Sequence, residues 1–373
     1  MGIAGAGAMG SGIAQIALQN GHKVILFDIQ QNSLEKARNS IHTGLIKWAE
    51  KSKLTEGISD ERIQNLVLTT DLKELSHCDI IIEAVAEKIE IKKEFFHAIT
   101  PLVKAQCIMA SNTSSLSLTS IASACKNPEQ FIGLHFFNPA PLMALVEIIP
   151  AVQTHPGLTH ICTELIQQWG KKPVVCKDTP GFIVNRIARP YYSEAIRILE
   201  ENIATVSTID GAMKASGFRM GPFELMDLIG HDINYAVTES VFQSLYFDPR
   251  YRPSVTQKRL TEAGWLGKKS GRGFYKYDEN NVTTEISDNT LQKIISDRII
   301  TMLINEAYDA LHFGVASEED IDTAMTKGVN YPKGLIQWGS EIGLTEIAAR
   351  MNQLYKKYQE DRYRLSPGIS SRI

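Results

Sequence analysis

Ile3-Ala4-Gly5-Ala6-Gly7-Ala8-Met9-Gly10-Ser11-Gly12-Ile13-Ala14-Gln15-Ile16 opens the chain and decides how its first half folds. Three glycines stand at G-x-G-x-x-G spacing, after the short apolar run Met1–Ala4 and before a helical pattern carried by Ile13, Ile16 and Ala17. In a strand–turn–helix context each has its own task. Gly5 and Gly7 allow a tight turn and close approach of backbone to a pyrophosphate, and Gly10 lets the helix pack on the sheet. Ala8 and Met9 complete the turn, and the helix N-terminus faces the negative charge. Lys23-Val24-Ile25-Leu26-Phe27-Asp28 then reads as a second parallel strand ending in an acid. Asp28 lies 21 residues beyond Gly7 (28 − 7), near the roughly 20 expected for an acid that bonds a ribose 2′-hydroxyl. A glycine motif alone is weak; with the second strand and its acid it is strong. A carboxylate here repels a 2′-phosphate, and Ile29-Gln30-Gln31 offers no arginine to receive one. The predicted cofactor is NAD rather than NADP. Only four residues precede Gly5, so either the first strand is short or the chain begins late.

Outward from this motif, Asn32 to about Glu50 is helical and carries Lys47, with Lys51 and Lys53 just beyond. Such a charged face is ordinarily just solvated; the functional alternative is docking of a phosphorylated ligand. Further strands are predicted at Asn65–Leu68, Ile80–Ile82 and Ile108–Ala110, with a helix from Glu87 to Val103. Glu83–Lys88 follows one of these strands at the carboxyl end, where ligands of open α/β sheets bind. Ser111-Asn112-Thr113-Ser114-Ser115 follows another, and by itself reads equally as a polar, helix-capping turn. A helix over Gly157–Trp169 and a strand over Pro173–Cys176 lead to Asp178-Thr179-Pro180-Gly181-Phe182-Ile183-Val184-Asn185-Arg186, where Thr179 is expected to cap a long helix with Pro180 at its first position. Strand signals then vanish, which sets a boundary near Asp178. The predicted fold is α/β: a Rossmann-like, doubly wound, mainly parallel sheet over 1–178, followed by an all-α region.

Leu134-His135-Phe136-Phe137-Asn138-Pro139-Ala140-Pro141-Leu142-Met143-Ala144-Leu145-Val146-Glu147 joins two apolar strand candidates through an Asn-Pro turn. A glutamate flanked by aliphatics is expensive to bury unless a partner meets it, and His135 is the nearest one. A carboxylate that holds one ring nitrogen leaves the other to exchange a proton. On this stretch alone, a core histidine bonded to backbone and a glutamate at a strand end explain it equally well.

The 373 residues allow two or three domains with cores of their own. A formal net charge of −3 gives no electrostatic case for nucleic acid or an anionic membrane. Five cysteines, none in a CxxC pair, fit a reduced, cytoplasmic compartment, and no metal is expected. No apolar run approaches the roughly 18–20 residues of a bilayer span, and the immediate glycine motif argues against a signal peptide.

With Gly5–Gly10, Asp28, Ser111–Ser115, His135–Asn138, Glu147 and Asp178–Arg186 quoted, the chain resembles the 3-hydroxyacyl-CoA dehydrogenase family over essentially its whole length, with the motifs in the family's order. The resemblance implies NAD-dependent oxidation of the 3-hydroxyl of an acyl-CoA thioester to a ketone. It implies His135 as general base, oriented by Glu147, with Ser114 and Asn185 holding the substrate's oxygen. Asn138 resembles the residue between nicotinamide and substrate. Glu87 and Lys92 resemble contacts to the nicotinamide ribose, and Lys51 or Lys53 a contact to the CoA phosphates.

The helical half looks duplicated. An offset of 112 (306 − 194) carries Glu194-Ala195 onto Glu306-Ala307, Ile209-Asp210 onto Ile321-Asp322 and Ala212-Met213 onto Ala324-Met325, and after one inserted residue Gly221 onto Gly334. Copy 1 is expected over 179–280 and copy 2 over 281–373, with Asp278–Asp288 as linker. Asn185 falls on Asp297 and no glycine motif precedes copy 2, so copy 2 is expected to carry no active site. Its packing on copy 1 would give a monomer with an internal pseudo-dimer, or a homodimer. The Gly-rich basic stretch Trp265–Tyr275 reads as a structural turn before a phosphate site. Two other functions stay open: a dehydrogenase of a free sugar acid such as gulonate, as in the branch that includes lambda-crystallin, and a non-catalytic NAD-binding protein. The repeat argues against the first and a retained His135–Glu147 pair against the second.

Overall fold

The computed structural model describes residues 1–55, 57–277 and 288–373, so the expected linker, apart from Asp288, lies outside the described residues. The chain divides into two compact units, Met1–Thr179 and Pro180–Ile373.

In the first unit the apolar runs become one eight-stranded sheet. Its strands are β1 (Gly2–Ala4), β2 (Val24–Phe27), β3 (Leu66–Thr69), β4 (Ile80–Glu83), β5 (Ile108–Ser111), β6 (Phe131–Phe136), β7 (Leu145–Pro150) and β8 (Lys172–Val175), in the order β3-β2-β1-β4-β5-β6-β7-β8. The first six strands pair in parallel, in the 3-2-1-4-5-6 order of dinucleotide-binding sheets. β7 returns antiparallel to β6, and β8 is parallel to β7. Parallel neighbours need crossovers. Helices Ala8–Gln19, Gln31–Lys51 and Ile89–Ile99 lie among those connections, burying Ile13, Ile16, Leu34, Ile41 and Phe96. β1 is three residues long.

The junction departs from expectation. Thr179 caps nothing: its hydroxyl is buried without a hydrogen-bond partner. The regular helix starts later, as Val184–Ile187 and then Arg189–Glu200. Gly181 (φ +78°) and Phe182 (φ +46°) are both left-handed, which a helix start cannot accommodate. The helix expected over Glu87–Val103 is likewise shorter, Ile89–Ile99.

The second unit is helical among its described residues, and its elements recur in order. Val206–Ala215, Pro222–Ile229 and His231–Ser244 have counterparts in Glu318–Gly328, Leu335–Ile342 and Leu344–Tyr358. Buried ion pairs recur reciprocally. Arg186 Nε donates to Glu306 at 2.9 Å, and Arg298 Nε to Glu194 at 3.0 Å. Arg250 reaches Glu306 at 3.4 Å and Arg362 reaches Glu194 at 3.3 Å, while Tyr251 and Tyr363 donate to the same two carboxylates. Asp210 caps the amides of Phe223 and Glu224; Asp322 caps those of Ile336 and Gln337. The Gly-rich stretch folds back on buried Asp227, which accepts from the Phe274 and Tyr275 amides and the Tyr277 hydroxyl. Two of its three cations are engaged, Lys269 by Asp232 and Arg272 over the Trp265 ring. No helix among the described residues is long and apolar enough to cross a membrane.

Candidate active site

The glycine turn has the geometry its spacing implies. Gly5 adopts φ +100°, and a Cβ on Gly10 would lie 1.8 Å from the Gly5 carbonyl oxygen, so only glycine fits where the helix crosses the strand end. At Gly7 a Cβ would meet nothing within 4 Å; that side is open. The helix Ala8–Gln19 has no side-chain cap, which leaves its N-terminal amides for an anion. Asp28 accepts from the Ala6 amide at 2.7 Å and the Gln30 amide at 2.9 Å, tying the acid to the turn. Gly5, Gly7, Ala8, Met9 and Asp28, with Phe27, Ile29 and Ala84, line a cavity of about 780 Å³. Open glycine, uncapped amides and a turn-bound carboxylate fit the adenosine and pyrophosphate of a dinucleotide.

At the other end of the sheet, β6 and β7 pair with His135 opposite Glu147. Antiparallel register puts directly opposed side chains on one face, and His135 Nδ1 lies 2.6 Å from Glu147 Oε2. Glu147 is fully buried and His135 is 5% exposed. The Phe137 ring packs on the imidazole at 4.4 Å between centroids. A buried carboxylate at this distance fixes the orientation of the ring.

Glu87 and Lys92 join a network centred on a residue the sequence reading passed over. Glu83, at the end of β4, is fully buried and accepts from Lys92 Nζ (2.6 Å), the Val85 amide (2.8 Å) and the Ser111 hydroxyl (2.6 Å). Lys92 is 1% exposed and also meets Glu87 at 3.1 Å. Glu87 in turn accepts from the Thr113 hydroxyl (2.6 Å) and the Ser114 amide (2.7 Å) and hydroxyl (3.2 Å). Lys92 therefore stands behind Glu87 and anchors it. Burial raises the Glu83 carboxyl above its ordinary range despite Lys92. Burial also opposes ionisation of Glu87, but Lys92 and the Thr113 and Ser114 donors outweigh it and leave that group below its ordinary range. Glu83 was findable from its place at the carboxyl end of a central strand.

Asn138 is exposed, joined to Pro139 by a cis peptide. With Pro139 and Pro141 it shares a cavity of about 400 Å³ with Gly7, Ala8, Ser11, Gln15 and Lys36. The structure thus brings Asn138 to the glycine turn. Lys36 is another residue missed, since nothing in its sequence neighbourhood marks it. Lys51 ends the helix that carries Lys36, Gln31–Lys51, and Lys53 follows in a turn (φ 53°). Lys51 is fifteen residues on, roughly 22 Å along the axis, and neither lysine lines the two cavities described. In the helical unit Asn185 is half-buried on the short helix Val184–Ile187.

The sequence was compared with known proteins. The model for the 3-hydroxyacyl-CoA dehydrogenase NAD-binding domain matches residues 1–179, and that for the family's C-terminal domain matches residues 181–277 and 294–372. The 3-hydroxyadipyl-CoA dehydrogenase of Escherichia coli is 38% identical, over 97% of this chain and 94% of its own length. A probable 3-hydroxybutyryl-CoA dehydrogenase of Deinococcus radiodurans is 44% identical over 74% of this chain and 99% of its own. Among solved structures, a 3-hydroxybutyryl-CoA dehydrogenase from Escherichia coli K12 superposes with a TM-score of 0.94 at 36% identity, covering 100% of this chain and 97% of that one. Glycine turn, strand order and both domain matches agree: the chain belongs to the 3-hydroxyacyl-CoA dehydrogenase family and is an NAD-dependent oxidoreductase.

Proposed function

We propose that the chain reversibly oxidises the 3-hydroxyl of a 3-hydroxyacyl-CoA to the 3-ketoacyl thioester. The observation that carries this is the buried His135–Glu147 pair at 2.6 Å, in a sheet that ends in a dinucleotide turn. His135 removes the hydroxyl proton as the ketone forms, as a positioned general base does. Glu147 holds the ring and stabilises the imidazolium. Ser114, set by Glu87, donates to the substrate's oxygen, and Asn185 keeps the same role from its motif. A bound NAD would supply the hydride acceptor for C3. Glu87, braced by Lys92, would meet its ribose, and Asn138 would stand beside its nicotinamide. Lys51 or Lys53 meets the CoA phosphates.

The helical unit is two copies, 179–280 and 281–373, joined as an internal pseudo-dimer; the reciprocal Arg186–Glu306 and Arg298–Glu194 pairs support this. Copy 2 carries Asp297 at the position of Asn185 and has no active site of its own. Five buried cysteines, none of them in a disulfide, suit a reducing cytoplasm. The relatives' names, 3-hydroxyadipyl-CoA and 3-hydroxybutyryl-CoA dehydrogenase, support a short acyl thioester, and the reaction is the kind used in β-oxidation or in butyrate and phenylacetate pathways.

Absorbance at 340 nm with NADH and acetoacetyl-CoA tests the reading. Turnover that falls by roughly 10²–10⁴ in His135→Gln, with NADH affinity kept, is expected of a lost general base. Activity with gulonate alone, or none with tight NAD binding, would replace it by the sugar-acid or the non-catalytic function.

A further inference from the structure

Lys171 belongs to no motif that the function has absorbed. It directly precedes β8 and is 8% exposed. No carboxylate lies within ion-pair distance of it among the described residues, which is unusual for a buried cation. Its ammonium instead points into the connection between β6 and β7. Nζ donates to the carbonyls of Ala140 at 2.7 Å, Pro141 at 3.2 Å and Met143 at 2.7 Å. An ammonium has three hydrogens to give, and all three are taken by one turn.

That turn follows Asn138 directly. Its internal ties are the Leu142 and Met143 amides, both donating to the Pro139 carbonyl at 3.0 Å. It rests against the helix that leaves the glycine turn, since a Cβ on Gly12 would lie 3.0 Å from Pro141 Cδ and 3.1 Å from Ala140 Cβ. Pro139, Pro141 and Asn138 form one wall of the 400 Å³ cavity there, with Gly7, Ala8 and Ser11 opposite. The larger cavity at Asp28 takes no residue from the turn. His135 and Glu147, by contrast, are fixed by the β6–β7 ladder.

We propose that Lys171 is a positioning residue for the nicotinamide end of the dinucleotide site: its caged ammonium fixes the Ala140–Met143 turn and thereby the placement of Asn138 beside the glycine turn. The proposal rests on the reading of Asn138 as a nicotinamide-side residue. Burial pulls the Lys171 ammonium down to about 8, in keeping with a cation held by dipoles alone.

The test uses the full chain and two ligands that share the adenosine half. Lys171→Met keeps the side chain's bulk and removes its hydrogens. NADH affinity should fall by roughly tenfold, the scale of a charge-assisted hydrogen bond, while ADP-ribose affinity stays within about twofold. The kcat for acetoacetyl-CoA reduction should fall with it, and Lys171→Arg should restore a substantial part of both. A merely structural lysine would weaken both ligands together or neither, and either result overturns the proposal. If the methionine variant does not fold, Lys171→Gln gives the same comparison with a smaller expected loss. Wild-type silence with acetoacetyl-CoA would sink the substrate reading, whereas the ratio of the two affinities judges Lys171 regardless.

Discussion

Glu147→Gln isolates what the carboxylate contributes to catalysis. The substitution keeps size and leaves an amide oxygen within reach of His135 Nδ1, so the ring can keep its orientation; what goes is the charge. His135 and Glu147 are both buried, with Nδ1 and Oε2 2.6 Å apart. Opposite unit charges roughly 4 Å apart attract by about 4 kcal/mol at an effective dielectric of about 20. If between half and three quarters of that is realised while the proton is in transit, kcat falls by roughly 10²-fold. Glu147→Asp keeps the charge but draws it back by about one methylene, roughly 1.5 Å, and should fall between wild type and Gln. The assay is NADH consumption at 340 nm under saturating acetoacetyl-CoA, with NADH affinity and urea midpoint as controls. A Glu147→Gln enzyme within about threefold of wild-type kcat, binding NADH normally, would falsify the pair's electrostatic role.

Asp28→Ala removes the acid that is tied to the Ala6 amide at 2.7 Å; NADH should bind roughly tenfold more weakly, the scale of a charged hydrogen bond, and the margin over NADPH should narrow, as a titration with both shows. Gly10→Ala puts a methyl 1.8 Å from the Gly5 carbonyl oxygen, so NADH binding should be lost and thermal unfolding should come earlier; unchanged binding would mean that the helix does not cross there. Arg298→Met and Arg186→Met each strip a cation from a buried carboxylate, Glu194 or Glu306, that keeps other donors. Each should cost about 3 kcal/mol in urea unfolding, and very unequal costs would argue against two equivalent copies. Burial pulls the Glu201 carboxyl up, but hydrogen bonds from Arg298 and Tyr358 pull it further down, to about 2. Its folded value lies below the unfolded one, near 4.5, so its contribution is present above that pH and fades as pH falls toward 2. Glu201→Gln should flatten the acid limb of stability between those values, and an unchanged limb would remove Glu201 from it.

The sequence by itself determined the dinucleotide half. Gly5, Gly7, Gly10 and Asp28 act through backbone conformation and fixed spacing, properties that a local stretch carries with it. The His135–Glu147 partnership was legible for a related reason: both residues lie in apolar strand runs joined by a short connection, so a hairpin register brings them together. In the helical half the sequence offered an offset of residue identities, on which the proposed duplication rests. Only the tertiary structure could decide what depends on non-local approach. It made Glu83 the centre of the Lys92–Glu87–Ser114 network, through strands adjacent in the sheet but distant in the chain. It placed Lys36 beside Asn138 and caged Lys171 with carbonyls some thirty residues earlier. It also moved the helix expected at Thr179 to Val184, because Gly181 and Phe182 turn left-handed. Spacing along a chain fixes only what the backbone does locally. Which side chain meets which across a sheet follows from strand order and burial, and these exist only once the chain has closed on itself.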